Sequence, residues 1–172
     1  MPTAPRNRDC IALAKGDSIT VTVSDDMVES GWQGGIGVQW MAPTDGVDEF
    51  KVEISDGYYA GFLLWGSSEL GDKNTSMSNS QQTYKYATLC AGGWLIMTTA
   101  FEKYTWASRQ AGPLVENVYV ESDKLVFGLR GLWTREDEQA LSGGIPNEYF
   151  IGFVCQVPSA DNSYYVTIQT SI

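Results

Sequence analysis

Twenty-one acidic side chains, three cysteines and no histidine bound the chemistry open to this 172-residue chain. Without an imidazole there is no Ser-His-Asp or Cys-His nucleophilic centre, no histidine-bearing zinc site and no histidine pH switch. Carboxylate chemistry remains. The groups Asp25/Asp26, Asp45/Asp48/Glu49 and Glu136/Asp137/Glu138 are the places where a glycosidase acid and base, or oxygen ligands for calcium, could be drawn from. None has a defined ligand spacing, and Asp45-Gly-Val-Asp48 lacks the alternating ligands and closing glutamate of a helix-loop-helix calcium site. In so acidic a chain such clusters are expected to be solvated turns. Gly35-Ile36-Gly37 is not followed by the third glycine and helix of a dinucleotide loop. Cys10, Cys90 and Cys155 are odd in number and widely spaced, which is neither a disulfide framework nor a metal knot. Cys90 and Cys155 lie in apolar runs, where a reduced thiol acts as a small hydrophobe and fits synthesis in a reducing compartment. The expectation is a protein that is not an enzyme and carries no cofactor or metal.

Aromatic residues offer a different chemistry, that of stacking. The chain holds six tryptophans, nine tyrosines and six phenylalanines. Exposed rings on a β-scaffold can face sugar rings, so Trp32, Trp40, Trp65, Trp106 and Trp133 could include a carbohydrate platform. Trp32 and Trp133, beside turn glycines, are expected to be the exposed ones. The competing expectation is that these rings fill the core and subunit contacts of a glycine-rich β-protein.

The elements that would position these groups are strands. Ser18 to Ser24 alternates, with Ile19, Val21 and Val23 on one face, and Ile36, Val38 and Trp40 resume the same period. Phe50, Val52 and Ile54 alternate next, and Ser55-Asp56-Gly57 reads as a tight turn joining this strand to Tyr58–Trp65 as a hairpin. That second run is apolar on both faces, which predicts a central or covered strand. Residues 66–82 are poor in large apolar groups and too long for an ordinary connection, which reads as a loop that is either mobile or has a role at an interface. Within them Asn74-Thr75-Ser76 is a formal glycosylation acceptor, meaningful only in a secreted chain. Further strands are expected at Thr83–Leu89, Gly93–Thr99, Phe101–Trp106, Val118–Val120, Leu125–Phe127, Tyr149–Val157 and Tyr164–Gln169. Helical periodicity is confined to Thr134–Leu141, with Thr134 as the cap. The fold class that follows is all-β: a compact sandwich or barrel of about ten to twelve short antiparallel strands. Residues 17–172 form the β-domain, with room for sub-lobes at 17–111 and 112–172.

Charge divides the chain differently. The formal net charge is −10, yet residues 1–16 carry Arg6, Arg8 and Lys15 against Asp9. Residues 1–16 are therefore expected to be an extended cationic arm on an acidic body, with Arg6, Arg8, Ile11 and Leu13 as its partner-binding residues. An acidic body repels phosphate backbones, so nucleic acid is not an expected partner. No apolar run approaches the ~18–20 residues that span a bilayer, and the N-terminus has no signal-peptide pattern, so no membrane role is expected.

Residues 112–158 read as a meander of Val118-Tyr119-Val120, a short turn, Gly131–Thr134, an acidic insert and Phe150-Ile151-Gly152-Phe153-Val154, ending near a proline. In arrangement this segment resembles the head-decoration, or cement, proteins of tailed bacteriophages. The resemblance covers about a quarter of the chain. It implies a non-enzymatic virion protein, made in the host cytoplasm. Such a protein sits on the capsid surface, often as a homotrimer, and ties major capsid protein subunits together, sometimes through an N-terminal arm. The alternative is a carbohydrate-binding or receptor-binding β-sandwich module.

Overall fold

The computed structural model describes residues 8–42, 51–67, 86–128, 130–137 and 151–171. Among them run eleven strands: β1 (Cys10–Ala14), β2 (Asp17–Val23), β3 (Gly37–Trp40), β4 (Lys51–Ile54), β5 (Gly61–Leu63), β6 (Tyr86–Ala91), β7 (Leu95–Thr98), β8 (Lys124–Phe127), β9 (Trp133–Arg135), β10 (Gly152–Gln156) and β11 (Val166–Thr170). The all-β expectation holds, and the architecture joins both forms named for it. Strands β2, β4, β3, β5 and β6 close into a small barrel, and a six-stranded sheet has the order β1-β7-β11-β10-β8-β9.

The two layers interlock through their side chains. In β5, Phe62 and Leu63 point opposite ways, as neighbours in a strand must. Leu63 joins Val23, Val38, Val52 and Leu89 in the barrel interior, while Phe62 joins Trp94, Phe127, Trp133 and Ile168 in the core shared with the sheet. Within the run Tyr58–Trp65 only Gly61–Leu63 is a strand, covered on both sides by the chain's own layers, while Tyr58 and Tyr59 are exposed.

Close backbone approach at the junction requires glycine. A Cβ on Gly37 would lie 2.3 Å from the Phe127 ring. Gly131 has φ +71°, and its Cβ would meet Gly37 O at 2.5 Å; the Gly37 amide donates to Gly131 O across 2.7 Å.

Several local expectations are corrected. The strands are not all antiparallel, because β2 and β4 pair in parallel at Thr22–Lys51 and Val23–Val52. Parallel pairing needs a long crossover, and the chain supplies one through a helix and β3. That helix, α1 (Asp25–Ser30), begins where the sequence suggested only a strand end; the Ser24 side chain caps it, accepting from the Met27 amide. A second helix, α2 (Trp106–Gln110), is capped by Thr105 and ends the stretch expected to be a strand from Phe101. The Ser55-Asp56-Gly57 turn does not make a hairpin, because β3 lies between β4 and β5 and pairs with both. Helical residues do begin within the expected Thr134–Leu141 stretch, at Glu136, but Thr134 is not their cap: it lies in β9, its hydroxyl bonded to Leu132 O. Val118–Val120 is not a ladder strand, although Tyr119 is turned inward and Val118 and Val120 outward. Ile19 does not share the burial of Val21 and Val23 and is 57% exposed.

The domain boundaries also move. Residues 10–14 are not part of a free arm: β1 pairs antiparallel with β7, from Cys10–Thr98 to Ala14–Leu95, and Cys10 is buried in the shared core. A division at residue 111 fails for the same reason. Both β1 and β7 belong to the sheet that holds β8 to β11, so that sheet is discontinuous in sequence, whereas the barrel strands β2 to β6 follow one another along the chain. Arg6 and the loop at residues 68–82 lie outside the described residues.

Candidate functional site

The predicted exposed tryptophans are buried. Trp133 is wholly inaccessible and Trp32 is 8% exposed. The Trp133 indole N–H donates to Gly35 O over 2.9 Å, and its ring packs on Phe127 at 4.7 Å and on Phe62 at 6.1 Å. The Trp32 indole N–H donates to Trp65 O over 2.8 Å. Neighbouring glycines had pointed to surface turns. They instead let the backbone come close enough to seat a large ring and satisfy its one donor.

The expected arm residues do not act together. The Arg8 guanidinium lies 4.2 Å from the centre of the Trp65 ring, and its carbonyl accepts the Tyr165 hydroxyl, so this cation is fastened to the body rather than held out to a partner. Ile11 is half-buried opposite Met97, and Leu13 is 51% exposed at a bulge in the pairing. The acidic groups are likewise dispersed. Asp25 and Asp26 form the first turn of α1, with Asp25 3.6 Å from Lys51, and Asp137 lies 3.7 Å from Arg135. Asp45, Asp48, Glu49 and Glu138 are outside the described residues. Among the described residues no three His, Cys, Asp or Glu side chains are grouped to hold a metal ion, and no helix is long and apolar enough to cross a membrane.

Two features that the sequence did not single out lie side by side on the surface. The first is an apolar stripe. After Gly112 and Pro113, Leu114 and Val115 are 57% and 55% exposed, and Val118 and Val120 are 72% and 55% exposed. This stripe is held against the segment before α2. Thr105 N donates to Val115 O and Asn117 N to Lys103 O, both near 2.9 Å. The Asn117 carboxamide nitrogen donates to Glu102 O and Tyr104 O. Tyr119 turns inward, edge-on to Phe101 at 5.5 Å, and its hydroxyl donates to Glu102 O. Glu102 is itself clamped by Arg109 and by Arg130, the latter at 2.6 Å.

The second is a groove of about 470 Å³ between that stripe and the turn after β10. Its walls are Phe101, Tyr104, Asn117, Tyr119, Pro158 and Tyr164, with Lys103 and Glu116 at its mouth. Tyr164 is 65% exposed and follows Ser163, and both have positive φ, 62° and 56°. Non-glycine residues held there cost about 1–3 kcal/mol each. A capping box at Ser159 and Asn162 and the bond from Tyr164 N to Ser159 O, 2.8 Å, hold the turn in this shape. On the opposite wall, Asn117 Oδ1 is a buried acceptor with no hydrogen-bond partner among the described residues. An acceptor left so costs about 1–3 kcal/mol.

The charged groups that line the groove, Lys103 and Glu116, are both exposed. No protein-family profile matches the chain, and no curated protein matches it in sequence.

Proposed function

We propose that this chain is a non-catalytic adhesion protein of the tailed-phage decoration type, which binds the outer face of a capsid and strengthens contacts between major capsid protein subunits. The observation that carries the reading is the stripe Leu114, Val115, Val118 and Val120, four apolar side chains in seven residues, each more than half exposed. Apolar surface is stabilised by about 25 cal/mol for each Å² removed from water, so contiguous exposure of this kind favours a partner that covers it. The all-β body supports the same role, since a barrel and sheet locked by one aromatic core present a stripe of fixed shape. Assembly as a trimer at the capsid surface is part of the proposal and rests on the resemblance of residues 112–158.

Co-sedimentation with shells of a tailed phage stripped of its decoration protein tests it. Leu114→Asp with Val120→Asp places two charges in the stripe without touching a buried residue. The double variant is expected to keep its thermal transition and lose shell binding by at least about tenfold. Equal binding by the variant and the parent chain, or no binding by either, overturns the proposal.

A further inference from the structure

We infer that the groove between Tyr104, Asn117 and Tyr164 is a binding site for a neutral saccharide of one or two rings. The groove and the apolar stripe share Val118, but the two proposals are tested at different positions, because Leu114 and Val120 do not line the groove and Tyr164 is not part of the stripe.

Size comes first. A volume of about 470 Å³ falls within the range of small-ligand sites. The lining supplies what a sugar needs on its two kinds of surface. Tyr104 and Tyr164 offer ring faces or edges to the apolar C–H patches of a pyranose. Hydroxyls demand donors and acceptors together, and the groove has both: the Lys103 ammonium donates, the Glu116 carboxylate accepts, and tyrosine hydroxyls can do either.

Charge selects a neutral ligand. Lys103 and Glu116 cancel within the groove, and the chain as a whole has a net charge of −10, which disfavours anions. A cation would meet Lys103. The turn at Ser163 and Tyr164 adds a third observation. It holds two successive side-chain-bearing residues at positive φ and so keeps an exposed tyrosine on the groove's rim. Strain of this kind clusters where a side chain must be presented in one direction.

Saturation-transfer NMR on the full chain, with glucose, galactose, mannose, maltose, cellobiose and lactose as probes, tests the inference. At least one of these is expected to bind in the millimolar range, as shallow single-platform sites do. Tyr164→Ala should weaken that binding by at least about tenfold, Tyr164→Phe should retain it, and Tyr58→Ala, an exposed tyrosine that does not line the groove, should leave it unchanged. The thermal transition of Tyr164→Ala is expected to match the parent chain, since the side chain is 65% exposed. Absence of transfer from all six sugars at tens of millimolar overturns the inference. So does binding that survives in Tyr164→Ala, or a decaproline peptide that engages the groove while the sugars do not. Loss of shell binding in the stripe variants has no bearing on either outcome.

Discussion

Three cysteines outside any disulfide sit in two kinds of environment, which makes cysteine the clearest reporter at the scale of single residues. Cys10 and Cys90 are buried and Cys155 is exposed on β10. Burial pushes the Cys90 thiol from 9.0 up to about 12, opposed in part by a backbone hydrogen bond at Leu64. A thiol whose folded value is raised contributes its stability fully below the unfolded value. That contribution is lost as pH climbs from about 9 toward 12, because the unfolded chain releases the proton first. Titration with a maleimide at neutral pH is therefore expected to label one cysteine per folded chain, and Cys155→Ser to abolish that labelling. Labelling of two or three in the folded state would contradict the burial of Cys10 and Cys90. The sequence placed both Cys90 and Cys155 in apolar runs and could not tell them apart. Their difference is one of side-chain direction relative to the layers, which composition does not encode.

Among the elements, β1 departs furthest from its reading in the sequence. The run Cys10-Ile11-Ala12-Leu13-Ala14 is short and flanked by charges, so it looked like the apolar end of an arm. In the fold it forms the outer strand of the six-stranded sheet, with Cys10 and Ala12 against the shared core. Deleting residues 2–14 removes this strand, exposes the edge of β7 and opens a void beside Trp94 and Ile96. The midpoint of thermal unfolding, followed by circular dichroism, is expected to fall by at least about 10 °C. Deletion of residues 2–7, which spares Arg8 and its contacts with Trp65 and Tyr165, is expected to leave it in place. An unchanged midpoint after the longer deletion would show that β1 is dispensable. The helices α1 and α2 were legible in part. Ser24 before Asp25-Asp26, and Thr105 three residues before Ser108, are cap signals in plain view. They were masked by the strand patterns that run up to them, and helices of five or six residues show too little periodicity to compete.

At the scale of the whole molecule, Trp133 is one of the side chains that join the two layers. Trp133 belongs to β9, bonds to Gly35 in the turn before β3, and packs at an angle against Phe62 of the barrel and edge-on to Phe127 of the sheet. Trp133→Ala is expected to destabilise the protein by about 3–5 kcal/mol, the usual penalty for removing a buried tryptophan. Because the shared core includes residues from both layers, barrel and sheet should be lost in one transition, with near- and far-ultraviolet circular dichroism coincident. Two separated transitions would mean that the layers are independent. The surface of the same molecule carries its functional readings, the apolar stripe and the tyrosine groove, on neighbouring elements. The stripe lies on the segment after α2, and the groove is assembled from that segment, the one before α2 and the turn after β10.

What the sequence determined by itself was the fold class, the approximate strand number and the chemistry that is out of reach. Alternation with period two, turn residues and the absence of histidine are all read within a few residues of each other. Tertiary structure alone decided which strands are neighbours, which tryptophans are buried and where the tyrosines gather. Those outcomes depend on contacts between residues dozens of positions apart, such as Gly35 with Trp133 and Cys10 with Thr98. Local pattern can say that a ring needs a face to pack on; only the closed barrel against its sheet determines which face it finds.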